Sequence, residues 1–327
     1  MKKLKVGILS TARINRNVIP GIRASQRCEL AAVASRDAQK ASAYAAEWGI
    51  PRSYGSYEAL LADPELDLIY NPLPNHLHAE WTIKAAQAGK HVLCEKPLAL
   101  TVADVDAISA AAASAGVQVV EAFMYRHNPL TLKARELVED GTLGEILFMR
   151  SSFTFPLNRP GDIRLIPENG GGSLWDVGCY PVSVSRMVMG SLPVQVYGSQ
   201  TLGPTGIDIS FSGQLKFANH AVAQVHSSFV LPYYTVVDIR GTKGSLTIPA
   251  PFNPKQPQIS FTLQVGEQTQ VFTFDNPQLY RGEMDNLADV ILDHVPPRLS
   301  LAESREIITI LTALYQSARE NRAISLL

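Results

Sequence analysis

Residues 67–100 read DLIYNPLPNHLHAEWTIKAAQAGKHVLCEKPLAL. The run DLIYN (67–71) is apolar and short, which suits a buried strand. NHLHAEWTIKAAQAG (75–89) has helical periodicity and is closed by glycine. HVLCEK (91–96) is a second apolar strand. A strand, a helix of this length and another strand make a βαβ unit. Its right-handed crossover joins parallel strands.

The alternation continues on both sides. Upstream lie a strand, LKVGIL (4–9), a helix interrupted near Pro20 (14–25) and a strand, ELAAVAS (29–35). A helix over 37–49 follows, with Asp37 as its N-cap and Gly49 just past its end. Downstream come a helix (101–116) and a strand, VQVVEAF (117–123). The expectation is an α/β fold whose first domain is a doubly wound parallel sheet. After a helix near 128–140 and a Pro/Asn/Gly-rich loop (156–172), a helix spans 174–189. A β-rich stretch follows, from VQVYGSQTL to TQVFTF, with turn signals at Ala218-Asn219 and Gly241-Thr242-Lys243-Gly244. Helices at about 279–294 and 301–320 complete the pattern. The boundary is expected near 123–128, giving domains 1–125 and 126–327.

Composition excludes several classes. The 327 residues are 46% hydrophobic and 18% charged, enough for a sizeable core and unlike a disordered chain. A formal net charge of -1 gives no reason to expect nucleic acid or an anionic membrane as partner. Cys28, Cys94 and Cys179 are far apart, which argues against a disulfide framework or a zinc site. His76 and His78 have no third ligand at sensible spacing, so no metal is expected. The apolar run Val6–Leu9 is too short for a signal peptide, and none approaches the ~18 residues of a membrane helix. A cytoplasmic protein is the expectation.

VGILSTARIN follows a strand and opens a helix, where a dinucleotide fingerprint belongs. Ser10, Ala12 and Asn15 stand where that fingerprint has glycines, so the loop alone suits an ordinary βα turn as well. At the end of the second strand stand Ser35 and Arg36, and the acid, Asp37, is displaced. An arginine there suits a 2′-phosphate through charge-assisted pairing, which favours NADP over NAD. A surface arginine beside a helix-capping Asp37 is the alternative.

Lys96 ends a parallel strand, where ligands of open α/β sheets bind. Its reference pKa of ~10.4 requires burial or a nearby cation before it acts as a base. If it stays charged, it suits stabilisation of an alkoxide. Neighbouring strand residues face opposite ways, so Glu95 and Lys96 should have different tasks. In LWDVGCYPVSVSR, Asp176 and Tyr180 are spaced i, i+4, which puts them on one helix face. Asp176 and Ser173 equally suit helix capping, with Tyr180 in the core.

LCEKPLAL, together with LPNHLHAEWTIKAAQAGKHV, EAFMYRHNP and GGGSLWDVGCYPVSVSRMV, resembles the Gfo/Idh/MocA oxidoreductases. The branch containing glucose–fructose oxidoreductase, dihydrodiol dehydrogenase and sugar 1-dehydrogenases looks closest. The resemblance implies an N-terminal Rossmann domain and a C-terminal α/β domain with a large, open, mostly antiparallel sheet. It also admits a cis Lys96–Pro97 bond. It implies that Lys96 and Tyr180 are the catalytic pair, with Asp176 in support. NADP, or else NAD, would be held along Gly7, Ser10, Thr11, Ala12, Arg13 and Ile14, and then by Ser35 and Arg36. Further cofactor positions are Pro72, Leu73, Asn75, His78, Glu95, Lys96 and Arg126. Arg164 joins Lys96, Asp176 and Tyr180 at the substrate. The activity implied is hydride transfer between nicotinamide and a sugar, cyclic polyol or trans-dihydrodiol. An NAD-dependent glycoside hydrolase and a non-catalytic cofactor sensor are the alternatives. The open sheet suggests a homodimer or homotetramer.

Overall fold

A computed structural model describes residues 3–276 and 278–326. The chain forms two compact units. Unit 1 comprises Met1–His127 and Gln278–Arg305, and unit 2 comprises Asn128–Pro277 and Glu306–Leu327.

Unit 1 holds a six-stranded parallel sheet: β1 (Leu4–Leu9), β2 (Cys28–Ala34), β3 (Arg52–Tyr54), β4 (Leu68–Asn71), β5 (His91–Glu95) and β6 (Val119–Ala122). The order β3-β2-β1-β4-β5-β6 is that of a doubly wound dinucleotide-binding sheet. Its central strands are apolar on both faces because helices cover both: all four residues of β4 are buried. The helices are α1 (Asn15–Ala24), α2 (Ala38–Trp48), α3 (Tyr57–Leu61), α4 (His78–Gln87) and α5 (Val102–Ala115). Local signals set their ends. Asp37 caps α2 by accepting from Lys40 N at 3.0 Å, and Gly49 ends it at φ +56°. Thr101 and Gly116 do the same for α5. α1 continues through Pro20. The helix expected from residue 75 begins as a 3₁₀ turn, Asn75–Leu77, before α4. The short β3 and α3 carry too few residues for a periodic signal, and the sequence reading misses both.

The single boundary expected at 125/126 differs from this division. α8 (Arg281–Asp293) belongs to unit 1. Gln278 Nε2 donates to Asn17 O at 2.9 Å, and a Cβ on Gly21 would meet the Tyr280 backbone at 2.8 Å. Ser25 Oγ donates to Asp285 at 2.5 Å, and Arg27 pairs with Asp289 and Asp293. These ties link residues some 260 positions apart, so no local pattern announces them.

Unit 2 contains α6 (Pro129–Glu139), α7 (Cys179–Met189) and nine strands. They are β7 (Ile146–Thr154), β8 (Gln195–Leu202), β9 (Asp208–Lys216), β10 (Val222–Ser228), β11 (Tyr234–Gly241), β12 (Gly244–Ile248), β13 (Gln258–Val265), β14 (Gln268–Asp275) and β15 (Ile324–Ser325). The order is β14-β13-β12-β11-β7-β10-β9-β8-β15, with β7 and β10 parallel and the other pairs antiparallel. Both expected hairpin turns occur, after β9 and after β11. The central strand β7 had no element assigned to it from sequence. α9 (Leu301–Glu320) crosses the division of the chain. Its later turns pack against strand glycines: Cβ atoms on Gly198 and Gly213 would sit 2.5 and 2.8 Å from Leu314. Side chains there would push the helix off the sheet. Among the described residues no helix is long and apolar enough to cross a membrane.

Candidate active site

In unit 1 the β1–α1 turn keeps the fingerprint's backbone without its glycine. Ser10 takes φ +76°, a left-handed conformation that glycine adopts most easily. Asn15 is fully buried and donates through Nδ2 to Ser10 O at 3.0 Å. Asn15 therefore clamps the turn from within. The Ser10 hydroxyl is buried without a hydrogen-bond partner among the described residues. An unsatisfied donor at the end of β1, beside the start of α1, fits a pyrophosphate. Thr11, Ala12 and Ile14 are half-buried in this turn, and Arg13 is exposed. Gly7 has another explanation. It lies inside β1, where a Cβ would come 2.7 Å from Leu66 Cδ1 and 3.1 Å from Leu60 Cδ2. Packing by itself requires a glycine at this position.

At the end of β2, Ser35 is buried and Arg36 is exposed. Asp37, engaged as the α2 cap, is turned to the Lys40 amide. The Arg36 guanidinium lies near Tyr57 and pulls its phenol pKa down against the larger upward push of burial.

The ends of β4 and β5 bring Pro72, Leu73, Asn75, His78, Glu95 and Lys96 into one region of unit 1. His78 is buried between two carbonyls, Nδ1 at 2.7 Å from Pro97 O and Nε2 at 2.6 Å from Leu73 O. Burial lowers its pKa to about 4, although both carbonyls pull the other way. His78 thus ties the Leu73 loop to the Pro97 carbonyl, just past the Lys96–Pro97 bond, which is cis. Glu95 accepts from Tyr70 Oη at 2.6 Å, while Lys96 is half-buried. Glu121 on β6 holds the following turn by accepting from Leu98 N at 2.8 Å. Burial raises its pKa to about 7. Arg126, expected at the cofactor, is buried and donates to Glu303 Oε1 at 2.5 Å. That pairing within unit 1 accounts for its charge.

In unit 2 the loop before α7 fixes Arg164 by its backbone. Gly172 N donates to Arg164 O at 3.0 Å, and Gly171 N donates to Ile166 O at 3.1 Å. A Cβ on Gly171 would lie 2.5 Å from Arg164 O. From this position Arg164 Nε donates to Asp176 Oδ2 at 2.7 Å. The structure so brings together two of the expected substrate residues. Leu174–Gly178 form a π-helical turn ahead of α7, not the uniform α-helix assumed for the i, i+4 spacing. Such turns recur at functional sites because they re-aim side chains. Tyr180 follows in the first turn of α7, 5% exposed. Its ring is held by Phe153 and Phe252 at centroid distances of 5.4 and 5.3 Å. Those two rings stack on one another at 5.7 Å. Their position around Tyr180 depends on strand pairing and has no local sequence signal.

A family model described as the oxidoreductase family with an NAD-binding Rossmann fold matches residues 4–123. The GFO/IDH/MocA C-terminal domain matches residues 131–247. The chain belongs to the Gfo/Idh/MocA oxidoreductases and is an NAD(P)-dependent dehydrogenase/reductase. It is 42% identical over 325 residues to D-xylose 1-dehydrogenase (NADP(+)) 2 of Haloferax volcanii, covering 98% of this chain and 99% of that protein. It is 33% identical over 317 residues to trans-1,2-dihydrobenzene-1,2-diol dehydrogenase of Xenopus laevis, covering 94% and 96%. Among solved structures, aldose-aldose oxidoreductase from Caulobacter crescentus complexed with glycerol superposes with a TM-score of 0.92. That pair shares 28% identity over 99% of this chain and 100% of the other.

Proposed function

We propose that this protein is an NADP-preferring dehydrogenase acting on the CH–OH group of a sugar, cyclic polyol or trans-dihydrodiol. The Arg164–Asp176 pair, on the turn that leads into the helix carrying Tyr180, carries the reading. A guanidinium and a carboxylate held 2.7 Å apart give a hydroxyl-rich ligand both donors and acceptors. The aromatic packing fixes the Tyr180 ring, so its phenol exchanges a proton from one position. NADP supplies or takes up the hydride when bound. Tyr180 takes the substrate's hydroxyl proton in oxidation and returns it in reduction. Lys96 supplies positive charge that favours the alkoxide or the tyrosinate. Arg164 aims the Asp176 carboxylate, and Asp176 accepts from a ligand hydroxyl. Ser10, with Asn15 behind it, and the Thr11–Ile14 turn would hold pyrophosphate. Ser35 and Arg36 would hold the 2′-phosphate, since Asp37 is engaged as a helix cap.

The outward face of the nine-stranded sheet supports a homo-oligomer. Tyr197 and Val271 on it are 43% and 61% exposed. Light scattering of the purified chain measures this, and a monomer at all concentrations would refute it. The test of the activity is a panel of aldoses, cyclic polyols and trans-diols with NADP and NAD, followed by absorbance of the reduced cofactor. Stoichiometric reduced cofactor from at least one substrate, largely lost in Tyr180→Phe, is expected. Product formed without accumulation of reduced cofactor would overturn the dehydrogenase reading. A near-parental rate in Tyr180→Phe would remove that residue from the mechanism.

A further inference from the structure

The helix that presents Asp176 and Tyr180 lacks a local cap. Ser173 stands at its N-cap position, but its side chain accepts no bond from the helix. The cap comes instead from Asp208, the first residue of β9. Asp208 Oδ2 accepts from Leu174 N at 2.8 Å and from Ser173 Oγ at 2.7 Å. Its Oδ1 accepts from Tyr315 Oη at 2.6 Å. Ser173 Oγ also lies 3.0 Å from Ser227 Oγ on β10. Asp208 is 2% exposed, and Ser173 and Ser227 are buried with it. The chain makes room for the carboxylate: a Cβ on Gly172 would sit 2.2 Å from Asp208 Oδ1 and 2.7 Å from Tyr315 Oη. Gly172 also has φ +132°, where a side chain is strained.

A buried carboxylate is expensive to desolvate unless hydrogen-bonded; here Oδ2 holds the start of the helix and Oδ1 is held by Tyr315 on α9. Negative charge at a helix N-terminus is favourable, and in low dielectric the effect strengthens. The anchorage also joins three elements, β9, β10 and α9, to the turn that sets Asp176 and Tyr180. We propose that Asp208 is a positioning residue for the reaction, fixing the π-helical turn so that the Tyr180 phenol and the Asp176 carboxylate stand at the reacting group. This rests on the reading of Tyr180 given above. Asp208 itself touches neither reacting partner, so its loss should weaken the chemical step and spare binding.

Asp208→Asn is close to isosteric, and the hydroxyls of Ser173 and Tyr315 can rotate to meet an amide. It removes the charge and loosens the cap. Expected is a fall in kcat of about 10–100-fold, because small misplacements of reacting groups are costly. KM for the substrate and Kd for NADP, the latter from protein fluorescence, should stay within about threefold. In a double-mutant cycle, the Asp208→Asn loss should largely vanish in a Tyr180→Phe background, because the effect passes through the phenol. Should Asp208→Asn not fold, Ser173→Ala leaves the carboxylate in place and removes one of its donors. The same pattern, smaller in size, is then expected. An unchanged kcat, a loss confined to KM, or losses that multiply fully in the cycle would overturn the positioning role while leaving Tyr180 in the mechanism. A near-parental rate for Tyr180→Phe alone would overturn both.

Discussion

Replacing Glu121 by glutamine should stabilise the protein above neutral pH and much less in mild acid. Glu121 is 1% exposed, and its Oε1 accepts from Leu98 N at 2.8 Å. Its Oε2 is buried without a hydrogen-bond partner among the described residues. Ser304 Oγ and Arg126 favour the carboxylate, but burial opposes it more strongly, and the pKa rises from 4.5 to about 7. Below about pH 4.5 the carboxyl is protonated in both the folded and unfolded chain. As pH rises through about 7, the unfolded chain has already released its proton while the folded chain must ionise a buried group. Stability from this residue is therefore present in acid and lost toward alkaline pH. At about 1.4 kcal/mol per pH unit, the interval sets a ceiling of ~3.5 kcal/mol. Glutamine never ionises, and its carbonyl can still accept from Leu98 N. Urea unfolding of parent and Glu121→Gln at pH 5 and pH 8, followed by circular dichroism, measures the difference. Expected is a midpoint raised by about 1 M at pH 8 and by only about a quarter of that at pH 5. A difference that does not change with pH, or a variant less stable at pH 8, would refute the reasoning.

Other substitutions probe the cofactor and substrate halves. Arg36→Ala should raise KM for NADP far more than for NAD in steady-state assays; equal effects would remove the 2′-phosphate role. Lys96→Met should abolish turnover while NADP still binds by fluorescence titration, and retained turnover would sink its catalytic assignment. Arg164→Ala should raise substrate KM and lower kcat, because Asp176 loses the guanidinium that orients it. Unchanged kinetics would make the pair structural only.

Much of unit 1 is legible from sequence because its signals are local. Asp37, Gly49, Thr101 and Gly116 mark helix ends through bonds within three or four residues of themselves. The apolar strands between them force the parallel order. Locality hides the packing demand at Gly7, where a Cβ would meet Leu60 and Leu66. It also hides the inward hydrogen bond by which Asn15 holds Ser10 O at a glycine position of the fingerprint.

By itself the sequence determined the alternation of strands and helices, the hairpin turns, and the residue types that can move a proton at Lys96, Asp176 and Tyr180. Periodicity and capping are short-range, so one chain suffices to read them. Only the tertiary structure decided that residues 278–305 return to the first unit, that Arg126 is paired with Glu303, and that the helix before Tyr180 starts as a π-turn capped by Asp208. Each of these depends on side chains brought together across long stretches of chain. Their partners are chosen by packing and by the need to satisfy buried charge, neither of which has a fixed spacing in sequence.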